Sequence, residues 1–533
     1  MRRKSTKVLA VAAVCLSVPF TAFAQSSSSG SGTGSGTGSG SGATGTGSTD
    51  VQQRPVMLSD TASFTDVIDA ADPGSTWSFR AILGFETTTR RGTLQREAIT
   101  EMVGALCPGS ATQRLQATGQ VEYCNLATYG QTTHTFLAGV ELAVFHDLSV
   151  HLHLPVILAD QRSWDTHPDV STPAAALLDG YSLSGTPTNL FSLPFRSPDR
   201  AGIDQLRIGI SWNILNNQRD HSLPTWLLRF EYRPPVGALL SPCVIEGGQT
   251  VCPAVLAQET GGPLRSPMTA PSWTPADSTN VNASQAEYDR PRTSPADPGI
   301  SRGVHTFYLL TAFSRRFGFV EPYIGLDAQF DLPQRNTFFR FGERPFGQLS
   351  DFPPVTGSVI AGVEIVPWEN RETWQRFTID ARVRGQYWSQ GRDFSPLYDA
   401  LGASNSLPLT LPSYAIRDYE NRARPIYFTG TTGIQSRSAV TIGTTLGIQP
   451  ARFLRFTFGG SMTFTVPYSL TQTDPCNPNE TPANQAERGG CVGNAVPDPL
   501  HRPVIDSPGE RFRFINDFNY TINLNVIVTP RLY

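Results

Sequence analysis

The chain has 533 residues, with 42 Lys and Arg against 45 Asp and Glu, a net charge of −3. There is no basic excess and no basic cluster, which argues against a nucleic-acid partner. Beyond the first 25 residues no run of about 18 apolar residues occurs, so no membrane-spanning helix is expected.

Residues 1–24 have the form of a secretory signal peptide. Arg2, Arg3, Lys4 and Lys7 precede an apolar run, and Ala22-Phe23-Ala24 offers a small-x-small cleavage site before Gln25. Taking those four cations from the 42 leaves 38, all arginine, against 45 acids, a net charge near −7. Each remaining cation is a planar fork suited to bidentate pairing with carboxylates. Residues 25–58 are a Ser/Gly-rich flexible linker. Over 59–74, Phe64, Val67, Ile68 and Ala71 follow the i, i+3, i+4, i+7 pattern of a short helix, capped by Ser59 or Thr61 and stopped by Pro73-Gly74. Its apolar face needs something to pack on.

From Ser75 the period becomes two. Trp77, Phe79, Ala81, Leu83 and Phe85 share one face, and Phe136, Ala138, Val140, Leu142 and Val144 share the next. Ten further stretches follow, ending with Phe512 to Val528. Only "VHTFYLLTAFS" is apolar on both faces, so its orientation stays open. The connections alternate in length. Long polar loops span roughly 87–130, 159–201, 234–303, 333–354, 389–436 and 467–510, and the intervening turns are short. An even strand count, strands of about ten residues, loops long on one rim and a signal peptide predict an all-β fold. It is a twelve-stranded antiparallel transmembrane β-barrel over 75–533, with long extracellular loops and short periplasmic turns. The helix at 59–74 then lies in the periplasm.

In pattern and architecture this region resembles the outer-membrane β-barrel proteins of Gram-negative bacteria, without pointing to a subfamily. The resemblance implies a cell outer-membrane location, outer-membrane lipid around the barrel, and a terminal aromatic residue that assists assembly. Tyr533 fits that role, although Pro530 and a phase change separate it from Val526 and Val528.

With the apolar face turned to lipid, the opposite face carries Arg80, Glu141, His151, His153, Arg207, Arg229, Glu231, Asp327, Glu364, Asp380, Arg382, Arg384 and Arg455. Interleaved charges in a narrow interior require arginine–carboxylate networks. These either hold the barrel's shape or form a selective constriction for polar solutes. In "DLSVHLHLPVIL", His151 and His153 alternate with lipid-facing leucines, so both face the lumen. Face matching across the short turn brings Glu141 opposite one of them, where a carboxylate stabilises imidazolium. Wall lining, a metal site and catalysis all draw on this set. For a metal, strands 2 and 3 supply no fourth ligand. For catalysis, Ser149-x-His151 is the reverse of the His-x-Ser order of outer-membrane phospholipase A, another twelve-stranded barrel. GxSxG, HExxH and P-loop signatures are absent.

Cys107/Cys124, Cys243/Cys252 and Cys476/Cys491 form three close pairs in long loops, and local disulfides are the simplest of the possible connectivities. The sequence therefore predicts a non-enzymatic passive channel or transporter for small polar solutes, with no cofactor and no metal. A closed barrel with working surface loops is the second reading, and a lipid hydrolase the third.

Overall fold

The computed structural model describes residues 61–68, 77–98, 122–168, 170, 189–253, 292–293, 298–334, 337, 339, 347–349, 352–404, 406–410, 428–479, 496–529 and 531–532. Twelve long strands form one antiparallel sheet. They are β1 (Trp77–Ala98), β2 (Glu122–Phe145), β3 (Leu148–Thr166), β4 (Arg207–Leu215), β5 (Thr225–Arg233), β6 (Val304–Ser314), β7 (Val320–Pro333), β8 (Thr356–Asn370), β9 (Gln375–Trp388), β10 (Arg437–Ala451), β11 (Leu454–Thr465) and β12 (Phe512–Val528). Each pairs with its neighbour, and β12 returns to pair with β1 from Ala81↔Val528 to Arg96↔Phe512, so the sheet closes and no edge is left unpaired. Arg531–Leu532 rejoin β1 at Trp77–Ser78 after a break. Tyr533 lies outside the described residues.

Burial alternates along the strands. Leu83, Phe85, Val140, Leu142, Leu152, Ile210, Leu326 and Phe458 are exposed, while Arg80, Glu141, His151, Asp327, Glu364 and Arg455 are buried. A soluble sandwich would hide that apolar face between two sheets. Here it is the outside, fringed by Phe145, Phe317, Phe319, Trp368 and Phe453 at the short-turn rim and by Phe330, Tyr387 and Phe464 toward the loop rim. An apolar band between aromatic girdles suits a bilayer.

The wall is uneven in height. β1, β2, β3 and β12 run 22, 24, 19 and 17 residues, whereas β4 and β5 run 9 each. The loops expected from 87 and from 159 therefore begin later, because the ladder continues after the outer face has turned polar and the apolar period has vanished. Within β3 the register shifts between Ala159 and Ile157, with Leu158 unpaired and exposed. This bulge switches the strand's phase: Ser149, His151 and His153 point inward below it, and Asp160, Arg162 and Trp164 above it.

The helix expected at 59–74 is absent from 61–68, which form a turn around Ser63–Thr65 closed by the Thr65 N–H on the Ala62 carbonyl at 2.9 Å. Its polar groups bond to the barrel wall instead, and this overrides the local helical spacing. Residues 59–60 and 69–74, and the signal and linker regions, lie outside the described residues.

Candidate functional site

Residues 61–68 lie across the lumen at the short-turn mouth. Ser63 sits between β8 and β11: its N–H donates to Glu364 Oε2 at 2.9 Å, its hydroxyl donates to the same oxygen, and Arg455 Nη2 donates to that hydroxyl at 2.6 Å. Thr65 meets the Ser314 hydroxyl of β6 at 2.8 Å, and its carbonyl accepts from Asn213 of β4 at 3.2 Å. Asp66 pairs with Arg80 of β1 at 2.6 Å, and Arg80 also holds Glu141 of β2 at 3.2 Å. Phe64 stacks on Tyr323 of β7 at 4.8 Å, and Tyr323 donates to Asp380 at 2.6 Å. β1 and β7 are opposite walls of a twelve-stranded ring, so the segment spans it.

Beneath the segment is a small apolar cluster, in which Ala62 and Val67 cover Leu227, Leu310, Ala312 and Ile360. This orients "VHTFYLLTAFS". Leu309 and Phe313 face outward, and Leu310 and Ala312 face inward under the segment. Both faces are apolar because lipid covers one and residues 61–68 the other. Of the predicted apolar face, Phe64 and Val67 dock in this way, and Ile68 is buried. Ala71 lies outside the described residues.

Higher in the lumen the charged groups bond to nearby carboxylates and hydroxyls. Asp327 receives Arg384 Nη2 on both oxygens at 3.0 Å and the Ser358 hydroxyl on one of them. Arg229 donates to Ser211 at 2.9 Å, Glu231 pairs with Arg233 at 2.7 Å, and Arg382 donates to Thr445 at 3.2 Å. Arg207 lies opposite His153 in the β3–β4 register. The Arg382 and Arg384 side chains keep 40% and 33% of their surface exposed although they point inward, so the lumen holds open space beside them.

His151 and His153 lie flat on the inner wall, their rings 5.0 Å apart. Glu141 is in register with His151, yet its carboxylate meets His153 Nε2, at 3.6 Å. His151 Nε2 instead reaches Glu231 of β5 at 3.4 Å. That reach crosses Gly209 of β4, where a Cβ would stand 2.6 Å from the ring nitrogen. Both contacts are longer than a hydrogen bond, so the expected bond to Glu141 becomes a looser polar contact. Ser149 and His151 point the same way, but the hydroxyl nearest the His151 Nδ1 is that of Ser211, at 3.5 Å. No cluster of three His, Cys, Asp or Glu side chains able to hold a metal occurs among the described residues.

At the loop rim the tall strands and the loops share a large apolar core that includes Leu126, Trp164, Phe191, Leu401, Ile505 and Phe514. Trp164 packs on Tyr129 at 4.6 Å and donates to the Pro396 carbonyl at 3.2 Å. Arg200, fully buried, pairs with Asp399 and donates to the carbonyls of Gly299 and Ser241 at 3.0 and 2.9 Å. Burial pushes the Asp498 carboxyl of this cap up to about 6, partly offset by the Leu500 N–H at 3.0 Å. The Cys243–Cys252 bridge is present. Cys124 and Cys476 are also disulfide-bonded, while Cys107 and Cys491 lie outside the described residues. Sequence reasoning missed Arg90, Asp160, Arg162 and Arg302, which meet just below the cap. The first three lie where the apolar period has ended, and Arg302 lies in a loop.

No protein-family model matches the chain, and no curated protein compared with it does. Among solved structures it is similar to an outer-membrane channel from Pseudomonas putida F1 at 8% identity, covering 86% of this chain and 100% of that one, with a TM-score of 0.33. A Pseudomonas aeruginosa FadL homologue aligns at 11% identity over 86% and 93% of the two chains, also at 0.33. The outer-membrane protease OmpT of Escherichia coli aligns at 9% identity over 85% and 97%, at 0.25. Likeness this distant says nothing about solute or reaction. The closed twelve-stranded sheet, its exposed apolar band and its charged lumen are those of an outer-membrane β-barrel protein.

Proposed function

We propose that the protein is a passive outer-membrane channel for small polar solutes, and that residues 61–68 keep its short-turn mouth shut. The observation that carries this reading is the pair Arg382 and Arg384, inward-facing yet one-third or more exposed. A barrel that served only as a scaffold would fill its interior with packed side chains. The lumen wall lets polar solutes exchange water for paired guanidinium and carboxylate groups. The long loops face outward from the cell and the plugged mouth faces the periplasm. A hydrolase is disfavoured because Ser149 is buried inside the wall, away from the lipid face where such a nucleophile would meet its substrate.

Single-channel recording in planar bilayers tests the reading. The full chain is expected to conduct in rare openings, and a chain lacking residues 61–68 to conduct steadily. A deletion variant that folds, shown by heat-modifiable gel migration, and still passes no current would overturn it.

A further inference from the structure

We propose that the cavity just below the loop cap binds a small uncharged solute that carries a hydrogen-bond acceptor on an apolar ring, such as an aromatic ketone or ester. The proposal rests on the channel reading only in placing this site on the solute's path.

The cavity measures about 270 Å³ and lies on the inner side of β1–β3. About 150 Å³ is enough to hold benzene, so one substituted ring fits. Ile157, Leu240, Ile300 and Phe394 supply apolar walls. Arg90, Arg162 and Arg302 supply the polar ones, their side chains 25%, 18% and 28% exposed.

The hydrogen-bond accounting sets the ligand's chemistry. Asp160 accepts from Gln131 at 2.7 Å, Thr133 at 2.9 Å, and Arg162 Nε and Nη2 at 2.8 and 2.6 Å, and is saturated. Gln131 Oε1 takes the Tyr129 hydroxyl at 3.0 Å. Asp517 takes Arg90 Nε and Nη2 at 2.8 and 2.7 Å. Arg302 gives Nη1 to Asp393 at 2.8 Å and Nη2 to Asp331. Of the lining acceptors, the Asp204 carboxylate keeps capacity, taking the Arg302 N–H at 3.2 Å; what remains otherwise is Nη1 of Arg90, Nη1 of Arg162 and Nε of Arg302, all donors. An acceptor-only ligand matches them, whereas a polyol would bring hydroxyl donors to a wall with few acceptors left.

Charge then decides between a neutral acceptor and a carboxylate. Asp160, Asp204, Asp331, Asp393 and Asp517 surround the three lining guanidiniums, and Arg437 adds a fourth cation. The surroundings already carry one more carboxylate than guanidinium, so an anion would enter against that surplus.

The test uses the full chain in detergent micelles and three ligands of nearly one shape, 4-fluoroacetophenone, 4-fluorobenzoate and 4-fluorotoluene, followed by fluorine NMR. The ketone is expected to bind saturably, the benzoate at least about tenfold more weakly, and the toluene only to partition into micelles without saturation. Arg162→Lys keeps a cation beside Asp160 but removes the spare nitrogen, and should weaken the ketone about tenfold. Arg90→Lys, on a different strand, should do the same. Benzoate binding as tight as the ketone's, or ketone binding indifferent to both variants, would overturn the proposal. Because binding is read without current, a protein that binds the ketone but never conducts breaks the channel reading alone. A conducting barrel with no saturable ketone binding breaks this proposal alone.

Discussion

At the short-turn mouth, residues 61–68 rest on a small apolar cluster and are otherwise held by polar contacts: Ser63 to Glu364 and Arg455, Thr65 to Ser314 and Asn213, and Asp66 to Arg80. At the loop rim, Trp164, Phe512 and Phe514 sit fully or almost fully buried in a large apolar core. The two regions differ in what release costs. A hydrogen bond exchanged for water nets about 0.5–1.5 kcal/mol, and water waits on both sides of the plug. Each large side chain drawn out of the core costs about 1.5–3 kcal/mol, with nothing offered in return. The plug is therefore the part that can move aside, and the core at the loop rim is the part that stays folded.

The largest expected effect breaks the cap. Phe514 packs against Tyr129, Trp164 and Tyr468, and Phe514→Ala should cost about 3–5 kcal/mol. Loop proteolysis should speed up and the temperature of the heat-modifiable gel shift should fall. An unchanged shift temperature would mean that the cap does not support the wall.

Next comes pH. The folded Asp498 carboxyl titrates near 6 against an ordinary 3.8, because burial favours its neutral form. A raised value stabilises the fold fully below about 4, and the contribution is lost as pH rises through about 6, on the order of 2 kcal/mol between pH 4 and 7. Loop proteolysis should accordingly be slower at pH 5 than at pH 7.5, and Asp498→Asn should flatten the difference. The opposite slope would contradict the assignment.

Breaking the plug should do less to stability and more to current. Asp66→Ala removes one tether while Arg80 keeps Glu141 at 3.2 Å, which should weaken the plug's hold by about 1–2 kcal/mol and raise the fraction of time open roughly tenfold. A fall in shift temperature as large as that of Phe514→Ala would erase the contrast between the two mouths.

The smallest effect belongs to the histidines. Glu141 retains Arg80 and Glu231 retains Arg233 when His151 and His153 both become glutamine, so stability should change by less than about 1 kcal/mol. Stoichiometric zinc binding by the parent chain, lost in the double variant, would instead mark a metal site.

The sequence exposes the barrel wherever lipid forces an alternation. Val140, Leu142, Leu152 and their equivalents fix the strands, and with them the inward face that carries Arg80, Glu141, Asp327 and Glu364. It hides what depends on contacts between distant segments. Phe64, Val67 and Ile68 announce an apolar face, but Ser63, Thr65 and Asp66 look like ordinary turn residues until Glu364, Ser314 and Arg80 stand beside them. Helical spacing over eight residues carries little weight against that many wall partners. The Glu141 contact fell on His153 instead of His151 because side chains lean along a strand, which register alone does not reveal. Arg90, Asp160 and Arg162 stayed hidden because above the lipid no apolar partner face marks which way a strand points.

Leu158 gives β3 two reading frames. Before it the odd positions look inward, and after it the even ones do. Removing that one residue would turn the bulge into regular ladder: Ile157, Asp160, Arg162 and Trp164 would all still face inward, and only the local bend and extra twist of β3 would be lost. At this point in the chain the inner face is indifferent to one residue more or less, because the bulge absorbs it. A homologue one residue shorter at this point would keep the same interior with a straighter strand.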